Sequence, residues 1–286
     1  MPLITLTTDF GTKDHFVGAV KGAIFSELSD AKIVDITHEI SPFNITETAY
    51  ILKNSYKSFP KGTIHIIGVD SELSEENKHI ALELDNHFFV CPDNGLISMI
   101  ASEIKPSKIV EINIHDRVES SFPVLDVFVQ VACFIARGGN LGVIGKEIKS
   151  FKKMIEIQPK VNQKQTQIIG GVIYIDNYGN VISNISQKMF NEIGKGRDYK
   201  VTSSRYTFHK IFSKYNEVVG KNLNDPRQYD GNKLAIFNSA GFLEIAVYRS
   251  NLKTVGGAST LLGLEYRDPI IIDFINDSKP EFTTLN

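Results

Sequence analysis

Apolar and polar positions alternate along the first half of the chain in a rhythm that predicts strands followed by helices. Residues 3–8 and 62–69 are apolar runs of strand type, and each is followed directly by an acid, Asp9 and Asp70 respectively. Between them, residues 16–28 carry apolar side chains at helical spacing. Strands that alternate with helices are typical of βαβ units, so we predict an α/β domain with a mainly parallel sheet.

Further segments extend this first domain. Asp85 and Asn86 separate two short apolar runs, which indicates a hairpin with a two-residue turn. The other predicted elements are a strand at 32–37, a helix at 46–56, a helix starting within 92–95, a strand at 109–114 and a buried helix at 124–136. Together they predict a first domain that spans residues 1–158.

The second half of the chain has a different rhythm. Residues 159–167 are rich in Lys, Gln and Asn, which predicts an exposed linker. Short strand-like runs separated by turns follow at 168–176, 180–185, 199–208, 233–238 and 242–247. Sequence of this kind, poor in helical periodicity, predicts an all-β, barrel-like domain over residues 168–286.

Composition and charge narrow the class of partner. The 286 residues include 31 Lys and Arg against 33 Asp and Glu, and the formal net charge of -2 gives no basic field for nucleic acid. No run approaches the ~20 apolar residues of a membrane span, and the first residues lack signal-peptide features, so we expect a cytoplasmic protein with no membrane partner. Cys91 and Cys133 lie in apolar runs without metal-ligand spacing. The favoured partner is a small molecule.

Polar residues at strand ends and turns are the candidate sites of chemistry. Ligands of open α/β sheets bind outside the carboxyl ends of the strands, where Asp9 and Asp70 are expected. Asp9 is equally compatible with capping the next helix, and the two acids need not share a pocket. Residues 175–180 and 238–241 are tight turns with polar side chains, and each is compatible with ordinary turn formation as well as with ligand contact.

An ordered set of short motifs runs through nearly the whole chain. They are Thr8-Asp9-Phe10-Gly11, Asp35-Ile36-Thr37-His38-Glu39-Ile40-Ser41-Pro42-Phe43, Pro92-Asp93-Asn94-Gly95, Ile175-Asp176-Asn177-Tyr178-Gly179-Asn180 and Asn238-Ser239-Ala240-Gly241-Phe242-Leu243-Glu244. In this order they resemble the superfamily of S-adenosylmethionine (SAM) dependent fluorinases and chlorinases and of SAM hydrolases that form adenosine. Single motifs of this length are weak, but the ordered set is specific.

The resemblance implies a nucleoside ligand, with SAM as substrate, adenosine and methionine as products, and neither a metal nor another cofactor. It also implies a homotrimer with the ligand sites at subunit interfaces. By motif matching, Asp9 holds the ribose hydroxyls, and Phe43 occupies the place of an aromatic beside the ribose and the sulfonium. These roles suit the chemistry because an ionised carboxylate accepts two hydrogen bonds from a diol.

Further ligand contacts are implied in the second domain. They are Asp176 at the methionine amino group, Ser239 at the methionine end, Tyr178 and Asn180 at the adenine, and Phe212 and Glu244 as additional candidates. An ammonium favours a carboxylate and an adenine edge is well matched by an amide, so these assignments agree with the residue types. Phe212 and Tyr215 are alternatives for the aromatic that covers the adenine from the far side, and either is also compatible with a place in the core.

The implied reaction is an in-line displacement at the ribose carbon that bears sulfur, with methionine as the leaving group. Asp70 stands where the hydrolases have the Asp of a water-activating Asp-Arg-His set and where the halogenases have Tyr, which favours water as nucleophile. The Arg position holds Asn77 and the His position holds Pro123. The candidate catalytic residues are therefore Asp70 and Asn77. Lys78 or His79 is an alternative source of a nearby cation.

Three functions fit this sequence. A SAM hydrolase is favoured by the whole-chain resemblance and by Asp70. A catalytically impaired protein that binds SAM or adenosine is favoured by Asn77 and Pro123. A SAM-dependent halogenase is the least favoured, because a carboxylate at Asp70 repels a halide and the segment 79–92 lacks the longer insertion that fluorinases have there.

Overall fold

A mixed β-sheet forms the centre of the first of two units of the chain. The structure is a computed structural model, and it describes residues 3–101, 104–114, 120–219 and 226–275. The two units are Met1–Glu156 and Ile157–Asn286. In the described part of the first unit the strands are β1 (Leu3–Thr8), β2 (Lys32–Thr37), β3 (Ile64–Gly68), β4 (His79–Leu84), β5 (His87–Pro92), β6 (Lys108–Ile112) and β7 (Gly145–Glu147).

These strands lie in the order β2-β1-β3-β5-β4-β6-β7. β1 pairs in parallel with β2 and β3, and β3 with β5, whereas β4 and β7 are antiparallel to their neighbours. All other strands described in this sheet run in one direction, so the prediction of an α/β domain with a mainly parallel sheet is confirmed. The hairpin is also confirmed, since Asp85 and Asn86 have φ of 53° and 61° and form the two-residue turn.

Helices cover both faces of this sheet. In the described part of the unit they are α1 (Phe16–Glu27), α2 (Ile45–Ser55), α3 (Leu96–Ile100), α4 (Val129–Ala136) and α5 (Leu141–Ile144). Side chains of α1 and α4 pack with Ile4 and Leu6 of β1 on one face, and those of α2 and α3 pack with Ile67 of β3 on the other. Alternate side chains of a strand point to opposite faces, so these central strands are anchored from both sides.

The buried helix predicted at 124–136 begins with a widened turn. Val124–Phe128 is π-helical, with the amide of Val129 donating to the carbonyl of Val124, and α4 follows it directly. Pro123 precedes this turn. At a helix start the backbone N–H makes no helical hydrogen bond, so the missing N–H of proline costs nothing there. Because π-helical turns are rare and often lie at functional sites, the start of this helix is a place where function is expected.

Strands dominate the second unit. Those described are β8 (Lys160–Val161), β9 (Gln167–Ile175), β10 (Val181–Ser186), β11 (Tyr199–Ser203), β12 (Tyr206–Phe208), β13 (Ile211–Phe212), β14 (Lys233–Phe237), β15 (Phe242–Val247) and β16 (Pro269–Phe274), with the short helices α6 (Gln187–Gly194) and α7 (Ala258–Leu262). They form one sheet in the order β12-β11-β16-β9-β10-β15-β14-β13, with β8 beside β9. The prediction of an all-β, barrel-like domain is confirmed. In neither unit is a described helix long and apolar enough to cross a membrane.

Three local features of this unit differ from the elements predicted from the sequence. Two strands replace the single run predicted at 199–208, because Ser204 adopts a φ of 52° and reverses the chain. No helix is predicted above at the position of α6, whose first turn is capped by the Ser186 hydroxyl accepting from the amide of Met189. Strand β8 lies inside the segment expected to be a linker and pairs with β9.

A buried histidine pair stands near the amino-terminal ends of β3 and β5. The imidazole of His65 lies 2.7 Å (Nδ1) from the Thr5 hydroxyl and 3.1 Å (Nε2) from Nδ1 of His87. Its ring also stacks on Phe89. Burial, followed by repulsion from His87, lowers the pKa of His65 to about 3. Burial also lowers the pKa of His87, so the fold holds both rings neutral.

Acid is expected to destabilise the fold through His65. The unfolded chain binds a proton at this position near pH 6.5, whereas the folded chain does not until about pH 3. The stability that His65 contributes is therefore complete above pH 6.5 and is lost as the pH falls towards 3, by up to ~1.4 kcal/mol per pH unit. Urea unfolding measured between about pH 6 and about pH 4 gives this slope, and His65→Gln should make it shallower by about 1 kcal/mol per unit. The exposed His209→Gln is the matched control, and equal slopes in both variants would contradict the assignment.

Candidate functional site

The two strand-end acids of the first unit emerge at one edge of the sheet. β1 and β3 are parallel neighbours, and Thr8 at the end of β1 is in register with Gly68 at the end of β3. Asp9 directly follows Thr8, and Asp70 is two residues beyond Gly68. The carboxyl edge of the sheet therefore carries both carboxyl groups, which is where open α/β sheets bind ligands.

Asp9 does not cap the helix that follows it. α1 starts only after His15, which occupies the N-cap position and makes no side-chain cap bond. Instead Oδ2 of Asp9 accepts a 2.9 Å hydrogen bond from the backbone amide of Phe43. Phe43 has a φ of 62°, and the residue is 72% exposed. Among the described residues Oδ1 of Asp9 has no partner, so this oxygen is available to a ligand.

His38 fixes the loop that carries Asp9 to the segment that carries Phe43. The Thr8 hydroxyl lies 2.7 Å from Nδ1 of the buried His38, and the amide of Gly11 donates to the His38 carbonyl at 2.8 Å. Nε2 of His38 lies 3.1 Å from Asp35, which also pairs with Lys21. Burial alone would raise the pKa of Asp35, but the bonds from Lys21 and His38 outweigh it and lower this pKa. A charged carboxylate thus anchors His38 beneath the Asp9 loop.

Asp70 is half-buried and stands in an unusual backbone conformation. Its φ is 49°, in the left-handed region that few residues other than glycine adopt. No described residue forms a hydrogen bond or ion pair with its carboxylate. The carboxylate is therefore free to accept a proton or a hydrogen bond from a bound molecule.

Two of the residues predicted near Asp70, Asn77 and His79, have side-chain bonds to backbone carbonyls. Asn77 donates from Nδ2 to the carbonyls of Asp70 (2.8 Å) and Glu72 (2.9 Å), so its amide holds the backbone of the loop. His79 is fully buried, with Nε2 at 2.9 Å from the Ser71 carbonyl and its ring against Phe128. The imidazole of His79 is thus bonded within the loop that carries Asp70, and Lys78 stays a predicted source of a nearby cation.

An apolar wall stands beside this edge. A Cβ placed on Gly68 would lie 2.7 Å from the Val124 side chain and 3.1 Å from the Phe10 ring, so only glycine leaves room for the widened turn that begins at Val124. Pro123 and Val124 are buried. The Phe10 ring packs edge-on to Phe122 at 5.4 Å. Sequence reasoning missed Gly68, whose only sequence signal is a glycine inside a strand pattern.

In the second unit, the residues at 176–180 that are predicted to contact the ligand form one hydrogen-bonded turn. Oδ1 of Asp176 accepts from the amides of Tyr178 and Asn180, both at 2.8 Å, and Oδ2 accepts from Nδ2 of Asn180 at 3.0 Å. Gly179 closes the turn with a φ of 77°. Tyr178 as a whole is 62% exposed. Asp176 therefore orders the turn, and the aromatic ring is presented outward.

Two polar groups near this turn are buried. Asn180 is only 6% exposed, and its Oδ1 is inaccessible to solvent and has no described partner. Glu244 in β15 accepts from the Tyr215 hydroxyl at 2.7 Å. Burial raises the pKa of Glu244, and the negative charge of Asp176 adds to this rise. An unpartnered buried acceptor is costly unless a ligand satisfies it, so Asn180 has the character of a binding residue.

Ser239 lies in a different turn of the second unit. The turn that contains Ser239 joins β14 to β15, and the amide of Gln187 donates to the Gly241 carbonyl there. In the antiparallel pair β10 and β15, this turn lies at the Ser186 end, whereas 176–180 lies at the Val181 end. Glu244 of β15 lies between the two turns, because its carboxylate bonds to the Asn238 side chain and is affected by the charge of Asp176. Phe212 packs in a small cluster with Leu234, Ile236 and Ala246.

Comparison with known proteins covers both units. The sequence matches the SAM hydroxide adenosyltransferase N-terminal domain over residues 4–145 and the C-terminal domain over residues 170–271. It is 34% identical to an (R)-S-adenosyl-L-methionine hydrolase of Methanocaldococcus jannaschii over 95% of this chain and 96% of that protein. It is 21% identical to a fluorinase of Actinopolyspora mzabensis over 88% of this chain and 94% of that one.

A solved structure agrees with this match. An uncharacterised protein from Thermotoga maritima superimposes with a TM-score of 0.80 and 30% identity, covering 95% of this chain and all of that one. Among the residues that the structure describes there is no group of three or more His, Cys, Asp or Glu arranged to hold a metal ion.

Proposed function

Because the chain belongs to the SAM hydroxide adenosyltransferase family, we propose that it hydrolyses S-adenosyl-L-methionine to adenosine and L-methionine. The observation that carries this proposal is the pair of carboxyl groups at one sheet edge, Asp9 fixed against Phe43 and Asp70 unpartnered, beside an apolar wall. The first group is suited to hold a ribose and the second to orient water.

The reaction needs little from the protein beyond positioning. The sulfonium of SAM is already an activated leaving group, so a water oxygen attacks the ribose carbon in line with the C–S bond, and that bond breaks to release neutral methionine thioether. The attacking water loses its proton to the carboxylate of Asp70, which passes it to solvent. Val124 and Phe10 exclude bulk water from the site, which strengthens the electrostatic interactions there.

We assign one part of the SAM molecule to each candidate binding residue. Oδ1 of Asp9 accepts from the ribose hydroxyls, and the exposed ring of Phe43 lies beside the ribose and the sulfonium. The unpartnered Oδ1 of Asn180 accepts from the adenine amine, with the Tyr178 ring against the base. Asp176 attracts the methionine ammonium.

Three further candidate contacts have weaker support. Glu244 adds negative charge near Asp176, which favours an ammonium there. Ser239 follows Asn238, whose side chain bonds to Glu244, which supports a contact of Ser239 at the methionine end. Phe212 is packed against its small apolar cluster, which favours a supporting role over direct contact. The resemblance to the family supports a homotrimer as the active form.

A second candidate is a SAM-binding member without turnover. The observation that favours it is Asn77, which bonds to backbone carbonyls at the position where the hydrolases have Arg. This second candidate predicts that the protein binds SAM tightly and releases no product.

One experiment separates the candidates. Purified protein is incubated with SAM, with and without chloride, and the products are separated by chromatography. The hydrolase gives adenosine and methionine in equal amounts, independent of chloride. A chlorinated nucleoside would instead indicate a halogenase. Unchanged SAM that binds tightly in calorimetry would indicate the binding protein and contradict the hydrolase.

A further inference from the structure

Two asparagine amides hold the backbone on either side of the Asp70 side chain. Nδ2 of Asn94 donates to the carbonyl of Val69 at 3.1 Å, and Nδ2 of Asn77 donates to the carbonyls of Asp70 and Glu72. Asn94 is only 5% exposed, and it comes from the start of α3, while Asn77 precedes β4. Consecutive carbonyls next to one carboxylate are thus fixed by side chains from two different segments.

The backbone that these amides hold is one that an aspartate seldom adopts. β3 ends at Gly68, so no strand pairing extends to Asp70, yet its φ is 49°. A residue with a Cβ stays in the left-handed region only where its surroundings determine the conformation. The two amides provide this constraint, because each fixes the direction of a peptide plane that flanks the residue.

We propose that Asn77 and Asn94 are positioning residues for the carboxylate of Asp70, acting through its backbone. This inference rests on the proposed hydrolase function, in which Asp70 orients the attacking water. Without the amides φ of Asp70 relaxes towards the right-handed region, and its carboxylate turns away from the sheet edge. A displacement of about 1 Å in a catalytic group lowers a rate by up to about a hundredfold, so these amides govern kcat more than substrate affinity.

Two substitutions separate the positioning role from the bond that Asn94 makes at the start of α3. Asn94 also accepts from the amide of Leu96 through Oδ1 at 3.2 Å. Asn94→Asp keeps this bond, removes the donor to Val69 and adds a negative charge, which the control Asn140→Asp also adds. Asn77→Ala removes both donors of Asn77 without adding charge. The matched control is Asn140→Asp, because Oδ1 of Asn140 caps α5 and no described bond uses its amide N–H.

We expect kcat for adenosine release to fall by about tenfold to a hundredfold in Asn94→Asp and Asn77→Ala, with KM within about threefold of wild type. Asn140→Asp should match wild type in both constants. Hydrogen–deuterium exchange should show faster exchange of residues 70–77 in the two test variants, with β1 and β3 as protected as in wild type and in the control.

Each alternative outcome has a defined meaning. Unchanged exchange at 70–77, or a raised KM with unchanged kcat, would overturn the positioning role. Global loss of protection would identify the amides as fold determinants and would also overturn it. If wild-type protein binds SAM but releases no adenosine, the hydrolase proposal fails, and the exchange comparison then decides alone whether the amides constrain the Asp70 backbone.

Discussion

Replacement of Asp70 by asparagine is expected to lower kcat for adenosine release by about 10² to 10⁴, with the KM for SAM changed by no more than about threefold. The substitution keeps size and hydrogen bonding but removes the only group at this edge proposed to accept the proton from water. Asp70 has no described bond to its carboxylate, so its loss leaves no structural partner unsatisfied. The measurement is initial rate against SAM concentration.

Asp85→Asn is the matched control for this experiment. Asp85 shares the left-handed backbone of Asp70, with φ of 53° against 49°, and lies in the hairpin turn between β4 and β5, at the opposite edge of the same sheet. It should retain wild-type kinetics. Turnover that survives Asp70→Asn would show that Asp70 does not accept the proton, and water would then react without a protein base.

How far the sequence predicts this site is clearest from Asp9 and Asp70. Apolar periodicity places both at strand ends, and the βαβ rhythm places those ends at one edge, because these inferences depend only on local pattern. The conformation of Asp70 does not follow from local pattern. It depends on Asn94, a residue 24 positions later, whose amide reaches Val69 only once β3 and α3 have packed together.

The same limit applies elsewhere in the fold. The turns at 176–180 and 238–241 are readable from their Asn and Gly residues, but their placement at opposite ends of β10 depends on strand pairing, which no single motif encodes. The close approach of Gly68 to Val124 likewise joins distant segments. α6, in contrast, has a readable signal, since Ser186 precedes apolar residues at Met189, Phe190 and Ile193 with helical spacing.

Asp9→Asn is expected to weaken SAM binding by about tenfold to a hundredfold with a smaller effect on kcat. Asparagine is isosteric, so its Oδ1 can still accept from the amide of Phe43, which Oδ2 of Asp9 now does at 2.9 Å. The second oxygen becomes an NH₂ group that cannot accept from a ribose hydroxyl. Loss of a hydrogen bond to a charged group costs about 1.5–3 kcal/mol, which corresponds to this change in affinity.

Calorimetric titration of SAM into wild type, Asp9→Asn and Asp9→Ala measures this change in affinity. It also separates the two roles of Asp9, the contact to the ribose and the bond to the amide of Phe43. Asp9→Ala removes both the ligand contact and the bond to Phe43, so it should also lower the melting temperature, whereas Asp9→Asn should not. Equal affinity in wild type and Asp9→Asn would contradict the ribose contact and leave Asp9 only a structural role. In that case the support for Phe43, with its φ of 62°, would be the whole function of the carboxylate.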